Sequence, residues 1–413
     1  MTACSSTLQA LLYVDESTWA ENSTDMTGAV RISHREPITL DGFEQAMLEP
    51  MRVTQYINEQ TLGIPGPMAC SFSFSVWLAG HGSTTSGATS MTPLGNLLKW
   101  VLGAGNVSAS SGTTISGAGS TTTTFTTAAS GTFDPGSMFR LGAIGDGDGE
   151  GQWYVVDSHT LTNLVSEVAA PGAPANGAVV YSAETIGTVE TDCAISTGKR
   201  FLIQTADNQY VVHGCYPSAI SFSGTNPGEM LVATITVTGS WFEPVSATFP
   251  SAVAASMTST PSPNAQGSVN FQTYATTTRN ALSIRQCAIT VNLGTQAVYG
   301  LDTVGQYQRI CGAKRTPTTV TVSLTVDAAG ASTTPTYWTD FLTNGAKHLL
   351  ISFATAAGQA AGMYLAWCRY SGKRPTQASV DNLNRVQFQV TAGTDTAEST
   401  DDLSLSALRI GLA

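Results

Sequence analysis

Charged side chains are scarce in this sequence. Asp, Glu, Lys and Arg make up only 11% of the 413 residues, less than half of the share of about 25% found in ordinary soluble domains. Coiled coils and helical repeats need Glu, Lys and Leu at helical spacing, so the composition excludes both classes. The 18 basic residues against 29 acidic ones give a net charge of −11. Such an excess repels phosphate and excludes an ordinary nucleic-acid-binding protein.

The sequence also lacks long apolar runs and paired cysteines. No stretch reaches the roughly 18–20 consecutive apolar residues of a transmembrane helix, and the N-terminus has no basic region of the kind that begins a signal peptide. The seven cysteines are scattered singly, without a CxxC pair. This pattern indicates buried free thiols in a protein made in a reducing cytosol. We therefore expect a soluble protein without a membrane partner.

What the sequence does contain is a series of alternating strands. Residues 69–79 place Cys, Phe, Phe, Val and Leu on one face and mostly Ser and Ala on the other, a period of two that predicts a half-buried strand. Residues 230–242 and 318–326 repeat the pattern with Val, Ile and Thr. Gly, Pro, Asn and Asp clusters separate such runs. The sequence therefore predicts a mainly β, antiparallel fold.

Two short helices interrupt the strands. In residues 92–103, Thr92 is suited to cap the helix, Pro93 to occupy its first position and Gly103 to end it. Residues 334–345 follow the same order of Thr, Pro, an apolar face and Gly. Each segment predicts a helix of about three turns.

The positions of these helices indicate an internal duplication. A strand, a long polar loop, an alternating strand and a helix follow one another at residues 28–103, and again at residues 286–345. We expect two tandem antiparallel β-sandwich or half-barrel domains with one short helix each. The first comprises residues 1–103 and 182–245, the second residues 267–413, and residues 246–266 form the linker. Residues 104–181 begin with a Gly/Ser/Thr-rich loop and continue as a small inserted β module, which we expect to decorate the outside.

One acidic motif could hold a metal ion. Asp146, Asp148, Glu150 and Asp157 occupy positions 1, 3, 5 and 12 of a calcium-binding loop, and their carboxylates are the hard ligands that Ca²⁺ prefers. No predicted helix flanks the motif, position 5 is an atypical Glu, and position 12 is Asp where Glu is usual. The alternative interpretation is a solvated hairpin turn leading into the strand at residues 152–156.

The sequence has no catalytic signature. Its five histidines lie in neither HxH nor HExxH, and no GxxxxGK[ST] phosphate loop is present. Matches to the GxSxG motif of serine nucleophiles in the Gly/Ser-rich tract are expected by chance in a sequence of such low complexity. We therefore expect no enzymatic activity and no cofactor, apart from a calcium ion at the acidic motif if its carboxylates bind one.

Several segments together resemble the tail tube proteins of long-tailed bacteriophages. Residues 71–103 contain three features in order. An alternating strand ends in Leu78-Ala79-Gly80-His81-Gly82-Ser83, and a helix follows that contains Pro93-Leu94-Gly95 and then Leu97-Leu98. Residues 210–215, 230–242, 289–293, 313–326 and 401–412 are similar to later parts of that family, in the same order. The resemblance covers most of the chain except residues 104–180.

The resemblance implies two tail-tube-like domains and a structural virion protein. Such proteins assemble into stacked rings, in the cytoplasm of the bacterial host, and form the tail tube through which DNA passes without specific binding. Family rings contain six tube domains. A duplicated chain would supply them as a homotrimer, which we favour, and an unduplicated one as a hexamer. Other tail proteins are further expected partners.

The two long polar loops are the expected contacts between rings. Residues 35–68 and 294–317 carry charged and polar side chains that could pair across an interface: Glu49, Arg52, Gln60, Arg309, Lys314 and Arg315. Other functions stay open. They are another tail structural protein such as a terminator or hub, a β-rich adhesin or lectin-like surface protein, and a hydrolase on a β scaffold.

Overall fold

The computed structural model describes most of the chain. The described residues are 9–48, 64–82, 88, 90–107, 113–116, 119–128, 133–142, 152–170, 172–188, 194–195, 197–205, 208–224, 228–245, 253, 255–257, 268–273, 281–301, 308–316, 318–327, 333–353, 359–372, 374–380, 383–394 and 403–413. Within them the fold is mainly β, as the alternating pattern predicts, with two helices.

Strands dominate the first half of the chain. It begins with β1 (Ala10–Asp15), β2 (Val30–Ile32), β3 (Thr39–Leu48), β4 (Ile64–Trp77) and α1 (Pro93–Leu102). Then come β5 (Gly103–Val107), β6 (Thr113–Thr114), β7 (Thr124–Thr126), β8 (Met138–Leu141), β9 (Trp153–Thr160), β10 (Asn163–Ser166), β11 (Val179–Ser182), β12 (Glu184–Thr188) and β13 (Ala194–Ile195). The first half ends with β14 (Lys199–Gln204), β15 (Gln209–Ser223), β16 (Val232–Gly239) and β17 (Trp241–Pro244).

The second half is likewise built mainly from strands. It contains β18 (Ala255–Ser256), β19 (Ser268–Thr273), β20 (Ala281–Asn292), β21 (Thr295–Leu301), β22 (Gln308–Arg315) and β23 (Thr319–Asp327). After these come α2 (Thr333–Thr343), β24 (Lys347–Ser352), β25 (Ala361–Tyr370), β26 (Thr376–Val380), β27 (Leu383–Gly393) and β28 (Arg409–Leu412).

Each half contains a ring of six antiparallel strands. In the first half the order is β4, β16, β15, β14, β1 and β2, and a bridge between His34 and Val76 returns to β4. In the second half the order is β23, β27, β25, β24, β19 and β20, which pairs again with β23. The sandwich expected for each half is thus present, with its layers joined at the edges. One apolar cluster runs through the interiors of both.

The two rings have the same topology. Counted along the chain, β1, β2, β4, α1, β14, β15 and β16 correspond to β19, β20, β23, α2, β24, β25 and β27. Each of the six pairings in one ring has its counterpart in the other. Pairing between β15 and β20 joins the halves into one sheet. The repeated order of strands and helix that indicated a duplication in the sequence therefore consists of structurally equivalent elements. The exact domain boundaries stay a prediction.

Both helices form close to the predicted positions. Thr92 caps α1, since its hydroxyl accepts a hydrogen bond from the N–H of Gly95, and Gly103 with φ of 114° ends it. The apolar face of α1 is buried through Leu97, Leu98 and Val101. α2 spans Thr333–Thr343, one to two residues away from the predicted bounds.

The insertion is a small barrel of its own. Six strands pair in the order β6, β11, β8, β9, β10 and β7, and hydrogen bonds from Ser116 N to Thr126 O and from Ala128 N to Thr114 O, both 2.8 Å, join the two ends. Phe125, Phe139 and Tyr154 are fully buried inside it. This confirms the inserted β module, which we call the module.

The module packs against the second half, although it is inserted in the first. Alternation along β9 turns Tyr154 and Val156 into the module, while Trp153 and Val155 face outward and pack against residues of β24, β25 and the C-terminus. The ring of Trp153 lies on Gly362 and Gly411, where an added Cβ would come within 2.6 Å of it. The module is thus fixed to the barrel beneath it.

Three sequence predictions need correction. The polar loops at residues 35–68 and 294–317 contain strands, since β3 pairs with β4 and β21 with β22. The linker contributes β18, which pairs in parallel with β2. Cys311 is exposed, because it lies on the face of β22 turned away from the barrel. The other described cysteines are buried free thiols, as predicted: Cys70, Cys215, Cys287 and Cys368.

Candidate functional site

The candidate site is a continuous sheet layer, which we call the wall. Successive antiparallel pairings place eight strands in the order β3, β4, β16, β15, β20, β23, β27 and β26. Four strands come from each half, and the pairing of β15 with β20 lies at the centre. The wall therefore spans the duplication.

One face of the wall is apolar and buried. Along β4, Phe72, Phe74 and Val76 point into the first barrel, and along β23, Val320, Val322 and Leu324 point into the second, all at most 2% exposed. The alternation of period two places every intervening residue on the opposite face. Burial of these side chains fixes the register, since a slip by one residue would expose the whole apolar set.

The opposite face is polar but uncharged. Pairing aligns Thr39, Ser73, Thr236, Ala219, Asn292 and Thr319 in one row across six strands. A second row contains Ser75, Thr234, Ser221, Thr290, Thr321 and Thr391. In that row the hydroxyl oxygens of Ser75 and Thr234 lie 2.9 Å apart. Neither row contains a charged side chain, and most of their members are exposed or half-buried. These two rows can exchange hydrogen bonds with water and offer no fixed charge to a ligand.

The charges lie at the borders of this face. Asp327 and Arg385, at the end of the pairing between β23 and β27, form an ion pair at 3.4 Å. Asp41 is exposed on β3, and Arg374 is exposed just before β26. Arg374 lines a cavity of about 290 Å³ with five other residues: Ser323, Thr376, Gln387, Phe388 and Gln389.

The wall ends in two open edges. In the described part of the chain, β3 pairs with β4 alone, and β26 pairs with β27 alone. Among the described residues, each edge therefore presents backbone N–H and C=O groups without a strand partner, which can pair with another strand.

Two hairpin arms stand where the polar loops were predicted. The first consists of β3 and the beginning of β4. Glu49, Arg52 and Gln60 fall between β3 and β4 in sequence and lie outside the described residues. The second consists of β21 and β22, which also pairs with β13 of the first half. The indole N–H of Trp19 donates to the carbonyl of Ile310 at 2.9 Å, so this second arm is held on the first half.

The basic residues of the second arm differ in their surroundings. Arg315 is buried and donates to the carbonyl of Trp100 at 2.5 Å, so its guanidinium serves the chain's own packing. Lys314 is exposed on β22, opposite Ala194. Arg309 lies on the same strand opposite Gly300. A role of these residues between rings stays a prediction.

The acidic motif falls largely outside the described residues, which include only Asp157 of its four candidate ligands. Asp157 is exposed on β9. The other three candidate ligands fall between β8 and β9 in sequence. Among described residues, no group of three or more His, Cys, Asp and Glu side chains is arranged to hold a metal ion. The calcium hypothesis therefore stays a prediction.

Two sets of buried titratable groups were missed by sequence reasoning. His213 stacks on Trp241 with ring centroids 3.9 Å apart and hydrogen-bonds Glu243 at 3.1 Å. Burial lowers its pKa, and burial raises that of Glu16 nearby. Glu16 accepts backbone hydrogen bonds from Ala20 and Gly214, so the group holds the segment after β1 against β15. This arrangement is structural.

The second buried titratable group is Glu184, which lies at the N-terminus of α1. Its carboxylate accepts hydrogen bonds from the backbone N–H and the hydroxyl of Thr92, both at 2.9 Å. Burial raises the pKa of Glu184 to about 7, against the effect of these hydrogen bonds. A carboxylate more than ninety residues away from Thr92 in sequence carries no local signal that could have revealed this contact.

Comparison with known proteins does not identify a family for this chain, so a functional assignment depends on the geometry described above. No family model matches the chain, and no curated protein matches its sequence.

A separate observation concerns membranes. Within the described residues, neither helix has the length and apolar character needed to cross a bilayer.

Proposed function

We propose that this chain is a structural protein of the bacteriophage tail, which assembles into stacked rings that form the tail tube. The observation that carries the proposal is the wall. It is one sheet built from two equivalent halves, with an apolar inner face, a polar outer face that is uncharged between its borders, and two edges that are open within the described residues. Closed rings remove open edges, so an assembly of such chains converts an aggregation hazard into a stable wall.

The number of copies follows from the duplication. Two topologically equivalent barrels in one chain supply two of the six tube domains that the family resemblance implies. Three chains then make one ring with approximate sixfold symmetry, and the homotrimer is favoured over the hexamer. The ring is assembled in the bacterial cytoplasm and lies in the virion tail, in contact with other tail proteins.

The uncharged face suits a channel for DNA. A wall bearing Lys or Arg would release counterions from DNA at every ring and bind it strongly. Ser, Thr and Asn side chains give a wettable surface without that effect. We therefore place this face toward the lumen, with the net charge of −11 carried elsewhere on the chain. The proposed role requires no catalysis and no cofactor.

Electron microscopy of the purified full-length chain in negative stain tests the proposal. We expect rings with a central channel and six lobes, together with tubes of stacked rings. The mass of one ring is expected to be 129 kDa, three times the 43.0 kDa of the chain. Single rings that never stack would favour a terminator or hub protein. Monomers at all concentrations would contradict assembly and favour an adhesin-like role, which glycan binding would then support.

A further inference from the structure

The junction between the two halves provides a template for contact between copies. At the centre of the wall, residues 219–222 of β15 pair antiparallel with residues 289–292 of β20. The two strands belong to different halves, and each uses a different edge of its own barrel. The contact is therefore head-to-tail, the kind that continues from copy to copy until a ring closes.

The free edges of the wall are the counterparts of this junction. In the first half, the end of β15 pairs with β16, and in the second half β26 pairs in the same way with β27. Likewise, Thr39–Asp41 pair with β4 as residues 288–290 pair with β23. The edge of β26 thus corresponds to the used edge of β15, and the edge of β3 to the used edge of β20.

Register alignment makes the correspondence specific. Val76 and Val326 occupy equivalent ends of β4 and β23, facing His34 and Ile284 respectively. Counting from this pair places Asp41 at the position of Thr290, and Thr376 at the position of Ser221. Because Ser221 faces Thr290 inside the chain, Thr376 would face Asp41 across two copies.

The charges at the two edges are complementary. Asp41 and Arg374 are both exposed. Both lie at the borders of the polar face of the wall, because Asp41 pairs with Ser71 and Arg374 lines the cavity beside Thr376. Arg374 precedes Thr376 by two residues, so it stands diagonally across from Asp41 in this register. Long side chains interact across such diagonals.

We infer that β26 of one copy pairs antiparallel with Thr39–Asp41 of a second copy, and that Arg374 and Asp41 form an ion pair across this contact. The partner is a second copy of this chain. The inference rests on the proposed ring and deepens it by naming the strands and side chains that join its subunits. The cavity beside Arg374 is then covered by the neighbouring copy.

Charge reversal tests the ion pair. We expect Asp41→Arg and Arg374→Asp each to lower the yield of rings at least tenfold, because like charges then face each other. The double variant Asp41→Arg/Arg374→Asp restores the pair with opposite polarity and is expected to recover rings. Asp25→Arg makes the same charge change as Asp41→Arg at an exposed position between β1 and β2, outside the wall, and serves as the control. Single variants that assemble as well as the control would overturn the ion pair.

Cross-linking tests the strand pairing separately. In a background with Cys311→Ser, which removes an exposed thiol, Asp41→Cys and Thr376→Cys are combined in one chain. Oxidised glutathione is expected to link copies into dimers and trimers, while either cysteine alone gives none. Absence of links in rings made by this double-cysteine variant would overturn the pairing.

The two proposals fail in different ways. If the unaltered chain forms rings while the charge and cross-linking tests fail, the tube function stands and the junction is wrong. If links form but the chain yields only open filaments, the junction stands and the closed ring is wrong.

Discussion

Gly95 stands in the first turn of α1 because Glu184 occupies the space of a side chain at this position. A Cβ added at Gly95 would lie 2.0 Å from a carboxylate oxygen of Glu184. The glycine of the Pro93-Leu94-Gly95 motif thus has a packing reason, although glycine ordinarily weakens a helix. The buried carboxylate of Glu184 thus binds the N-terminal cap of the helix and leaves room only for glycine at position 95.

Gly95→Ala is expected to destabilise the protein despite the better helix propensity of alanine. Alanine would ordinarily add about 1 kcal/mol in a helix, but the overlap with Glu184 is expected to cost about 1–3 kcal/mol. Urea unfolding measures the difference. Asn96→Ala, at the exposed neighbouring position, is the control and is expected to leave stability unchanged or raise it. A stabilised Gly95→Ala variant would contradict the contact.

Glu184→Gln is expected to flatten the pH dependence of stability. The pKa of Glu184 is raised from 4.5 to about 7, so between these values the native state holds a proton that the unfolded chain releases. Stability therefore falls as pH rises through this window. The free energy of unfolding of the variant, relative to the unaltered protein, is expected to rise by about 2–3 kcal/mol between pH 5 and pH 8. Parallel curves would contradict a protonated Glu184.

At the scale of elements, short sequence patterns predicted the strands and helices whose formation depends on neighbouring residues. Alternation with period two located strands such as β4 and β23, because their apolar faces fill the barrels. The cap at Thr92 and the glycine at Gly103 located α1, since both satisfy its terminal backbone groups. The module was evident from its return of aromatic residues after a Gly/Ser/Thr tract.

Long-range pairing explains what was missed. The arms were predicted as loops because β21 and β22 have little regular alternation, and their pairing with each other and with β13 stabilises them. The open edges and the charges of Asp41 and Arg374 depend on which strands are neighbours. That information lies in the sheet order and has no signature in a short window.

Trp153→Ala is expected to loosen the module from the second half. The side chain is fully buried against Gly362 and Gly411, and truncation of such an aromatic ring costs about 3–5 kcal/mol. We expect faster proteolysis at the boundaries of the module, measured by mass spectrometry of timed digests. Leu161→Ser, at an 80% exposed position of the module, is the control. Equal digestion rates would contradict the packing.

At the scale of the whole molecule, duplication turns one sheet into a repeating surface. The halves share their topology, yet only the first carries the module, and the second supplies the arm of β21 and β22 that lies on the first half. The uncharged rows cross the junction of the halves without interruption. Continuity of chemistry across a repeat is what the proposed channel wall needs.

Lysines on this face are expected to make assembled tubes bind DNA. Thr290 and Thr321 face each other across β20 and β23, and Thr290→Lys/Thr321→Lys adds two positive charges per chain. Filter binding is expected to detect DNA retention that falls steeply between about 50 and 200 mM salt. The unaltered tubes and a Leu161→Lys control are expected to retain little. Equal retention by all three would contradict a lumenal position.

A density map of the assembled ring at a resolution that separates strands tests the central claim most directly. Eight wall strands from each of three copies are expected to close into one barrel of twenty-four, with Thr290 and its row facing the channel and β26 beside β3 of the next copy. A ring with the wall face buried against another layer, or with both edges facing solvent, would contradict the account.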